Sequence, residues 1–232
     1  KNMEIILADD GSEDASGRIC DSYQEHYETL VRTVHSSHQG VTNARLLGLK
    51  KASGEYIAFV DADDWIERDY ISSMVRTMED ADIVAAGISR DPAKKGNGIC
   101  EYNDIPAGRY TSELERAELY ERMLYSGEPY RFGVLPYMCN KLFKKNLILS
   151  LMEKQDKRIF DGEDAAVIYP CLLHAQRIML TDDCGYHYVV RKDSASLSDP
   201  EEAYLNVSCL YQTLYEYFSG SRYRDNLLVQ LD

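Results

Sequence analysis

The sequence lacks several features that mark common classes of protein. No apolar run approaches the roughly 20 residues of a membrane span, and residues 1–4 are not the apolar core of a signal peptide. Lysine and arginine are scarce, since 26 of them stand against 39 aspartates and glutamates, for a net charge of −13. These shortages argue against a membrane span and against a surface that binds nucleic acid or anionic lipid, and we expect a cytoplasmic protein.

Cysteine pairs at metal-site spacing are missing as well. The six cysteines, at positions 20, 100, 139, 171, 184 and 209, include no Cys-x-x-Cys pair, and most have apolar neighbours. We therefore predict reduced thiols in the core rather than disulfides or a zinc site.

Apolar residues are plentiful enough for a core. They make up 44% of the 232 residues, which suits one domain of ordinary size with an appendage. Over the first 90 residues, short apolar runs alternate with helical patterns, which predicts an α/β fold with a mostly parallel sheet covered on both faces. Further helices are predicted over 70–78, with Val75 on the inner face, from Thr111 or Ser112 to about 125, and over 165–175. A strand is predicted over 178–180, and an amphipathic helix over the tail 201–218, which we expect to pack on its own domain.

One predicted strand runs directly into an acidic cluster. Residues 56–60 are followed by Asp61-Ala62-Asp63-Asp64. On an extended backbone, Asp61 and Asp63 point to one face and Asp64 to the other. Two carboxylates at a strand end can hold Mg2+ or Mn2+, which commonly shares its coordination with substrate phosphates. On this pattern alone, acids that solvate the strand end and cap the next helix are an equal alternative.

Six segments, in order along the chain, resemble the family 2 glycosyltransferases of the GT-A fold. Three are similar to the nucleotide-sugar-binding half of that family: residues 4–14, 40–45 and 54–64. Three are similar to its acceptor half: residues 140–143, 162–164 and 186–196. The resemblance implies an α/β, GT-A (Rossmann-like) catalytic domain over 1–198, with a nucleotide-sugar-binding half (1–90), an acceptor half (91–198) and a helical tail (199–232).

The resemblance also implies contacts with a nucleotide. Asp10 would accept a hydrogen bond from the ring N–H of uracil or a similar base, and Asp61 would reach the ribose. Arg45 would pair with the diphosphate or the base, and Arg191 would hold phosphate. From the residues alone, a helix N-cap is the alternative for Asp10, and an ordinary surface guanidinium is the alternative for Arg45.

The implied chemistry needs a cation and a base. Asp63 would bind the Mn2+ or Mg2+ that bridges the two phosphates. His187 falls where some relatives place a metal contact, and packing beside its tyrosine neighbours is the alternative. Asp164 would take the proton of the acceptor hydroxyl, with Glu163 as the next candidate. Both acids also suit the first turn of a helix, where the helix dipole favours negative charge.

The resulting hypothesis is a metal-dependent, inverting transfer of a sugar from a nucleotide diphosphate, UDP in the first place, to a hydroxyl of a saccharide or lipid-linked saccharide. A homodimer is one expected assembly. Two alternatives stay open: a non-catalytic nucleotide-sugar-binding or assembly module, and a nucleotidyltransferase. The second needs a glycine-rich basic loop after its first strand, which the sequence does not show. The chain begins after the strand with which the family usually starts, so we expect the base pocket to lack one wall.

Overall fold

The computed structural model describes residues 3–92, 98–128, 131–190 and 199–232. Its strands are β1 (Ile5–Asp9), β2 (Val31–His35), β3 (Tyr56–Ala58), β4 (Trp65–Ile66), β5 (Ile83–Ala85), β6 (Ile88–Pro92), β7 (Ile99–Glu101), β8 (Gly108–Tyr110), β9 (Lys141–Lys144), β10 (Ile178–Leu180) and β11 (Tyr186–Val190). Its helices are α1 (Ser16–His26), α2 (Val41–Lys51), α3 (Tyr70–Met78), α4 (Glu113–Tyr120), α5 (Lys145–Met152), α6 (Glu163–His174), α7 (Pro200–Ser219) and α8 (Arg224–Leu231). Within these ranges, no helix is both long enough and apolar enough to cross a membrane.

The strands form three sheets. β1 and β2 pair in parallel, a second sheet has the order β3-β9-β5-β10-β8, and a third has the order β4-β11-β6-β7. The predicted α/β class is confirmed, but the sheets are mixed rather than mostly parallel, because three of the eight pairings between described strands are parallel. β9 causes much of this difference, since it runs antiparallel between β3 and β5.

Most predicted elements form within a few residues of their expected bounds. Helix α3 and strand β10 begin and end at the predicted residues. Helix α4 begins with a capping box, in which Ser112 and Glu115 bind each other's backbone N–H groups, but it ends at Tyr120, earlier than expected. Val75 was expected on the inner face of α3 and is instead 45% exposed.

The largest core cluster lies on the five-stranded sheet. Ile83 and Ala85 of the central strand β5 pack there with Ile168 of α6, all fully buried. Leu214 and Phe218 of α7 join the same cluster, so the tail packs on its own domain as predicted. Burying a side chain of this size contributes roughly 1.5–3 kcal/mol.

The cysteine prediction is wrong for one pair. Cys100 of β7 and Cys184, just before β11, form a disulfide across 84 residues of sequence. The spacing rule could not detect it, because only the fold brings β7 beside the approach to β11. Cys20, Cys139, Cys171 and Cys209 are free thiols, as predicted.

Candidate active site

The acidic cluster lies in a turn rather than on a strand. Strand β3 ends at Ala58, and the backbone N–H of Asp64 donates to the carbonyl of Asp61 at 3.1 Å. Side chains in a turn do not alternate between two faces as they do on an extended strand. The expectation that Asp64 points away from its neighbours is therefore wrong. Ligand atoms of Asp61, Asp64 and Cys139 all lie within 4.8 Å of one another, while Asp63 is exposed.

Asp64 is held from the third sheet. Its carboxylate accepts hydrogen bonds from the Tyr186 hydroxyl at 2.7 Å and from the Val189 N–H at 2.9 Å. The same hydroxyl accepts from the N–H of Asp61 at 3.1 Å. Burial raises the pKa of Asp64, while the two hydrogen bonds oppose that rise. Tyr186 thus ties the acidic turn to β11, a role that sequence reasoning missed although it singled out this segment.

The chemistry of the turn suits a hard cation. Its ligand atoms are carboxylate oxygens, which Mg2+ and Mn2+ prefer. Cys139 is the soft member of this group, and burial raises the pKa of its thiol to about 12, so it stays protonated and binds metal poorly at neutral pH. The residues present therefore fit a magnesium or manganese ion held by carboxylates.

Arg45 joins the acidic turn to the start of α6. Its side chain is only 11% exposed. One terminal nitrogen donates to Asp164 at 2.6 Å and lies 3.7 Å from Glu163, and the other donates to Asp61 at 2.8 Å. Burial alone would lower the pKa of the guanidinium, but the carboxylates of Asp164 and Asp61 raise it instead. Three predicted site residues therefore meet around a fourth.

Glu163 and Asp164 form the first turn of α6. Gly162 precedes them as the helix N-cap with φ of 80°, a conformation that glycine adopts at little cost. Asp164 also accepts the N–H of Met138 at 2.8 Å. Burial, and then repulsion from Asp164, raise the pKa of Glu163 to about 7, against the opposing effect of Arg45. One acid of the pair thus titrates near neutral pH.

A buried lysine near Asp164 was given no role by the sequence analysis. Lys141 is 1% exposed, and its ammonium donates to the carbonyls of Leu135 and Tyr137 and to Asn140 Oδ1, at 2.6, 2.7 and 2.8 Å. Burial lowers its pKa to about 7. It fixes the loop from which Met138 reaches Asp164. Its position in residues 140–143, one of the segments that resemble the family, was the available signal.

Asp10 closes the loop between β2 and α2. Its carboxylate accepts from the N–H of Gly40 at 2.7 Å, from the N–H of Gln39 at 3.0 Å and from the Ser36 hydroxyl at 3.0 Å. Burial favours the neutral acid, but the backbone donors of Gln39 and Gly40 outweigh it and lower the pKa of Asp10. The N-cap alternative for Asp10 is wrong, because the N-cap of α1 is Ala15 and that of α2 is Gly40, and base recognition stays a prediction.

His187 has contacts of its own. Its Nδ1 lies 3.1 Å from Asp91, its Nε2 lies 3.6 Å from Glu67, and its ring stacks on Trp65 with centroids 3.5 Å apart. Metal binding by His187 stays a prediction. Arg191 lies outside the described residues, so the phosphate contact assigned to it is likewise a prediction.

The chain is similar in sequence to several known proteins. The chain is 30% identical to glycosyltransferase GlyG of Streptococcus pneumoniae serotype 4 over 208 residues, covering 87% of this chain and 65% of GlyG. It is 26% identical to the minor teichoic acid biosynthesis protein GgaB of Bacillus subtilis over 210 residues, covering 89% of this chain and 21% of GgaB. The chain thus spans two thirds or less of the length of these relatives.

Solved structures confirm the fold class. Residues 1–349 of S. aureus TarS in complex with UDP-GlcNAc superpose with a TM-score of 0.66 at 17% identity, covering 98% of this chain and 63% of that one. The fold is therefore that of GT-A glycosyltransferases. The model of the family described as glycosyl transferase family 2 matches residues 1–147. Since this match covers well over half of the 232 residues, the chain belongs to glycosyl transferase family 2.

Proposed function

We propose that the protein transfers a sugar from a nucleotide diphosphate donor, UDP in the first place, to a hydroxyl of an acceptor. The observation that carries this proposal is the position of Arg45, whose guanidinium contacts Asp61 at 2.8 Å and Asp164 at 2.6 Å. A carboxylate of the donor side and the proposed base are therefore parts of one site, as direct transfer between two bound substrates requires.

On the donor side, Asp10 recognises the base and Asp61 the ribose. Asp63 is the principal ligand of Mn2+ or Mg2+, which when bound offsets the negative charge that develops on the departing nucleoside diphosphate. The net charge of −13 supports a metal requirement, because a protein of this charge repels a diphosphate unless positive charge is supplied locally. His187 as a further ligand and Arg191 as a phosphate contact complete the proposed set.

On the acceptor side, Asp164 is the base. It accepts the hydroxyl proton while the acceptor oxygen bonds to the anomeric carbon and the bond from that carbon to the diphosphate oxygen breaks. This single displacement inverts the configuration. Met138 and Arg45 orient the Asp164 carboxylate, and each of its oxygens keeps a second lone pair for the incoming proton.

The acceptor we propose is a saccharide or lipid-linked saccharide in the synthesis of a surface polysaccharide. The printed function of GgaB, minor teichoic acid biosynthesis, supports this class. UDP-GlcNAc in the TarS structure supports a UDP-sugar donor. The domain limits at residues 90 and 198, cytoplasmic location and homodimer formation belong to the same proposal.

Binding and turnover measured on the purified protein test the proposal. Calorimetry with UDP-, GDP- and CMP-sugars, with Mn2+ or with chelator, should show metal-dependent binding of a UDP-sugar, and Asp63→Ala should remove the metal-dependent increment. Asp164→Asn should keep donor binding but lower the rate of UDP release with acceptor by about a hundredfold or more. Asp225→Asn, at a side chain 90% exposed on α8, is the matched control.

Three outcomes would contradict the proposal in different places. Equal binding of UDP with chelator present would remove the metal assignment. Near wild-type transfer by Asp164→Asn would leave Glu163 as the candidate base. Donor binding without transfer to any acceptor would favour the binding-module alternative.

A further inference from the structure

We propose that Arg45 is the positioning residue of the base: it acts through Asp164, placing a positive charge beside that carboxylate and holding it at a set distance from Asp61, rather than by contacting the nucleotide. This inference rests on the proposed function and assigns Arg45 a different task from the one that the family resemblance implies.

The guanidinium of Arg45 has few hydrogen-bond donors left for a phosphate. Both terminal nitrogens already donate to carboxylates, to Asp164 at 2.6 Å and to Asp61 at 2.8 Å. The remaining nitrogen, Nε, is buried and has no hydrogen-bond partner among the residues that the structure describes. With the side chain 11% exposed, a diphosphate could reach Arg45 only by displacing one of the two carboxylates.

The carboxylates around Arg45 come from two parts of the fold. Asp61 approaches from the turn after β3, while Glu163, at 3.7 Å, and Asp164 approach from the start of α6. Asp161, before α6, raises the pKa of Glu163 further. Other titratable groups near this cluster include Asp64, Tyr186 and Cys139, which lie near Asp61, and the buried Lys141, which lies near Asp164. One guanidinium thus lies beside three carboxylates. The ammonium of Lys141 donates its hydrogen bonds to Leu135, Tyr137 and Asn140 instead.

The consequence for the base is both electrostatic and geometric. Without Arg45, two adjacent acids would compete for one proton, and the Met138 N–H would be the remaining hydrogen bond to Asp164 among those described. A protonated Asp164 cannot accept the proton of the acceptor. The bridge to Asp61 also sets the separation between the donor side of the site and the base, which direct displacement needs to be short and constant.

The first test reads the carboxylates directly, without turnover. Carbon-13 NMR of protein labelled at the Asp and Glu carboxyl carbons follows the titration of Glu163 and Asp164, with Glu163→Gln and Asp164→Asn used for assignment. In Arg45→Gln, the titration midpoint of this pair should rise by about one pH unit or more, since an opposite charge this close lowers a carboxyl pKa by roughly that amount. Arg76→Gln, at an exposed residue of α3, should leave it unchanged.

The second test follows transfer against pH. In Arg45→Gln, kcat should fall by about tenfold or more and the acidic limb of its pH profile should move upward, while the donor Kd changes less than about threefold. Arg45→Lys keeps the charge but reaches one carboxylate instead of two, so its acidic limb should stay near the wild-type position with an intermediate kcat.

The outcomes separate this inference from the proposed function. An unshifted titration in Arg45→Gln, or a donor Kd weakened more than about tenfold with the pH profile unchanged, would overturn the positioning role. A shifted titration in a protein that transfers no sugar would uphold the electrostatic role and reject the transferase. If Arg45→Gln does not fold, Arg45→Gln/Glu163→Gln is compared with Glu163→Gln alone, and the titration of Asp164 must show the same shift.

Discussion

At the level of single residues, several carboxylates of the site share a small number of hydrogen-bond donors. Arg45, Tyr186 and the N–H of Met138 serve the carboxylates of Asp61, Asp64 and Asp164. Glu163 is stabilised less by these donors, since its carboxylate lies 3.7 Å from the Arg45 guanidinium, and its pKa rises to about 7. Burying an acid with so little compensation costs stability whenever the acid is ionised.

We predict that Glu163→Gln stabilises the protein at alkaline but not at acidic pH. The folded pKa of Glu163, about 7, exceeds the ordinary value of 4.5, so the folded state binds the proton more tightly and stability falls as pH rises from 4.5 through 7. At pH 8, the amide should raise the free energy of unfolding by up to about 3 kcal/mol. Thermal unfolding of both proteins at pH 5 and pH 8 measures this.

Glu118→Gln is the matched control, because Glu118 is exposed on α4 and its exchange should alter stability alike at both pH values. An equal difference between Glu163→Gln and wild type at pH 5 and pH 8 would contradict the raised pKa.

At the level of elements, turns and helix starts determine where the acids point. The turn at Asp61–Asp64 directs Asp64 toward β11, and the left-handed Gly162 lets α6 begin with both of its acids facing Arg45. A Cβ at residue 162 would also lie 2.7 Å from the Leu210 side chain of α7. The left-handed backbone conformation of this one glycine therefore has more influence on the site than the regular helix that follows it.

We predict opposite effects for the same exchange at two glycines. Gly162→Ala should lower the free energy of unfolding by about 1–2 kcal/mol, because an L-residue is strained at its φ of 80°. Gly48→Ala, inside α2 with its new Cβ at an ordinary 3.7 Å from Ala8 and Ile6, should raise it by about 0.5–1 kcal/mol. Urea unfolding of each variant measures the change, and equal signs for the two would contradict the argument.

For the molecule as a whole, the third sheet joins the acidic turn to residues far along the chain. Trp65 of β4 follows the acidic turn directly, pairs with His187 of β11 and stacks on its ring. β11 also supplies Tyr186, which contacts Asp61 and Asp64. The acidic turn and β11 are therefore joined by strand pairing, ring stacking and hydrogen bonds.

We predict that Trp65 reports donor binding. It is the only tryptophan, it is 43% exposed, and it adjoins Asp64, so UDP with Mn2+ should change its emission on excitation at a wavelength where UDP does not absorb. UDP with chelator, and Asp63→Ala with UDP and Mn2+, should give no change. Constant emission at concentrations that saturate binding by calorimetry would count against a site at this turn.

Much of the local structure was predictable from the residues. The pattern placed α3 at 70–78 and β10 at 178–180, and it indicated a cap at Thr111 or Ser112, of which the structure has Ser112, because these features depend on neighbours within a few positions. The inward direction of Asp64 was not predictable, since a turn and an extended strand end can share one acidic sequence. Nor was the antiparallel course of β9, which depends on the path of a long connection.

The residue types of the candidate site, its carboxylates and its arginine, follow from the sequence and the family resemblance. Their partners follow from the fold. Arg45 meets Asp164 across 119 positions, and Tyr186 meets Asp64 across 122, and neither pairing has a local signature. Sequence pattern therefore determines the short elements and the residue types of the site. The pairing of buried charges is decided by the tertiary structure, which brings distant groups together away from water. Such groups must pair, because an unpaired buried charge costs too much free energy.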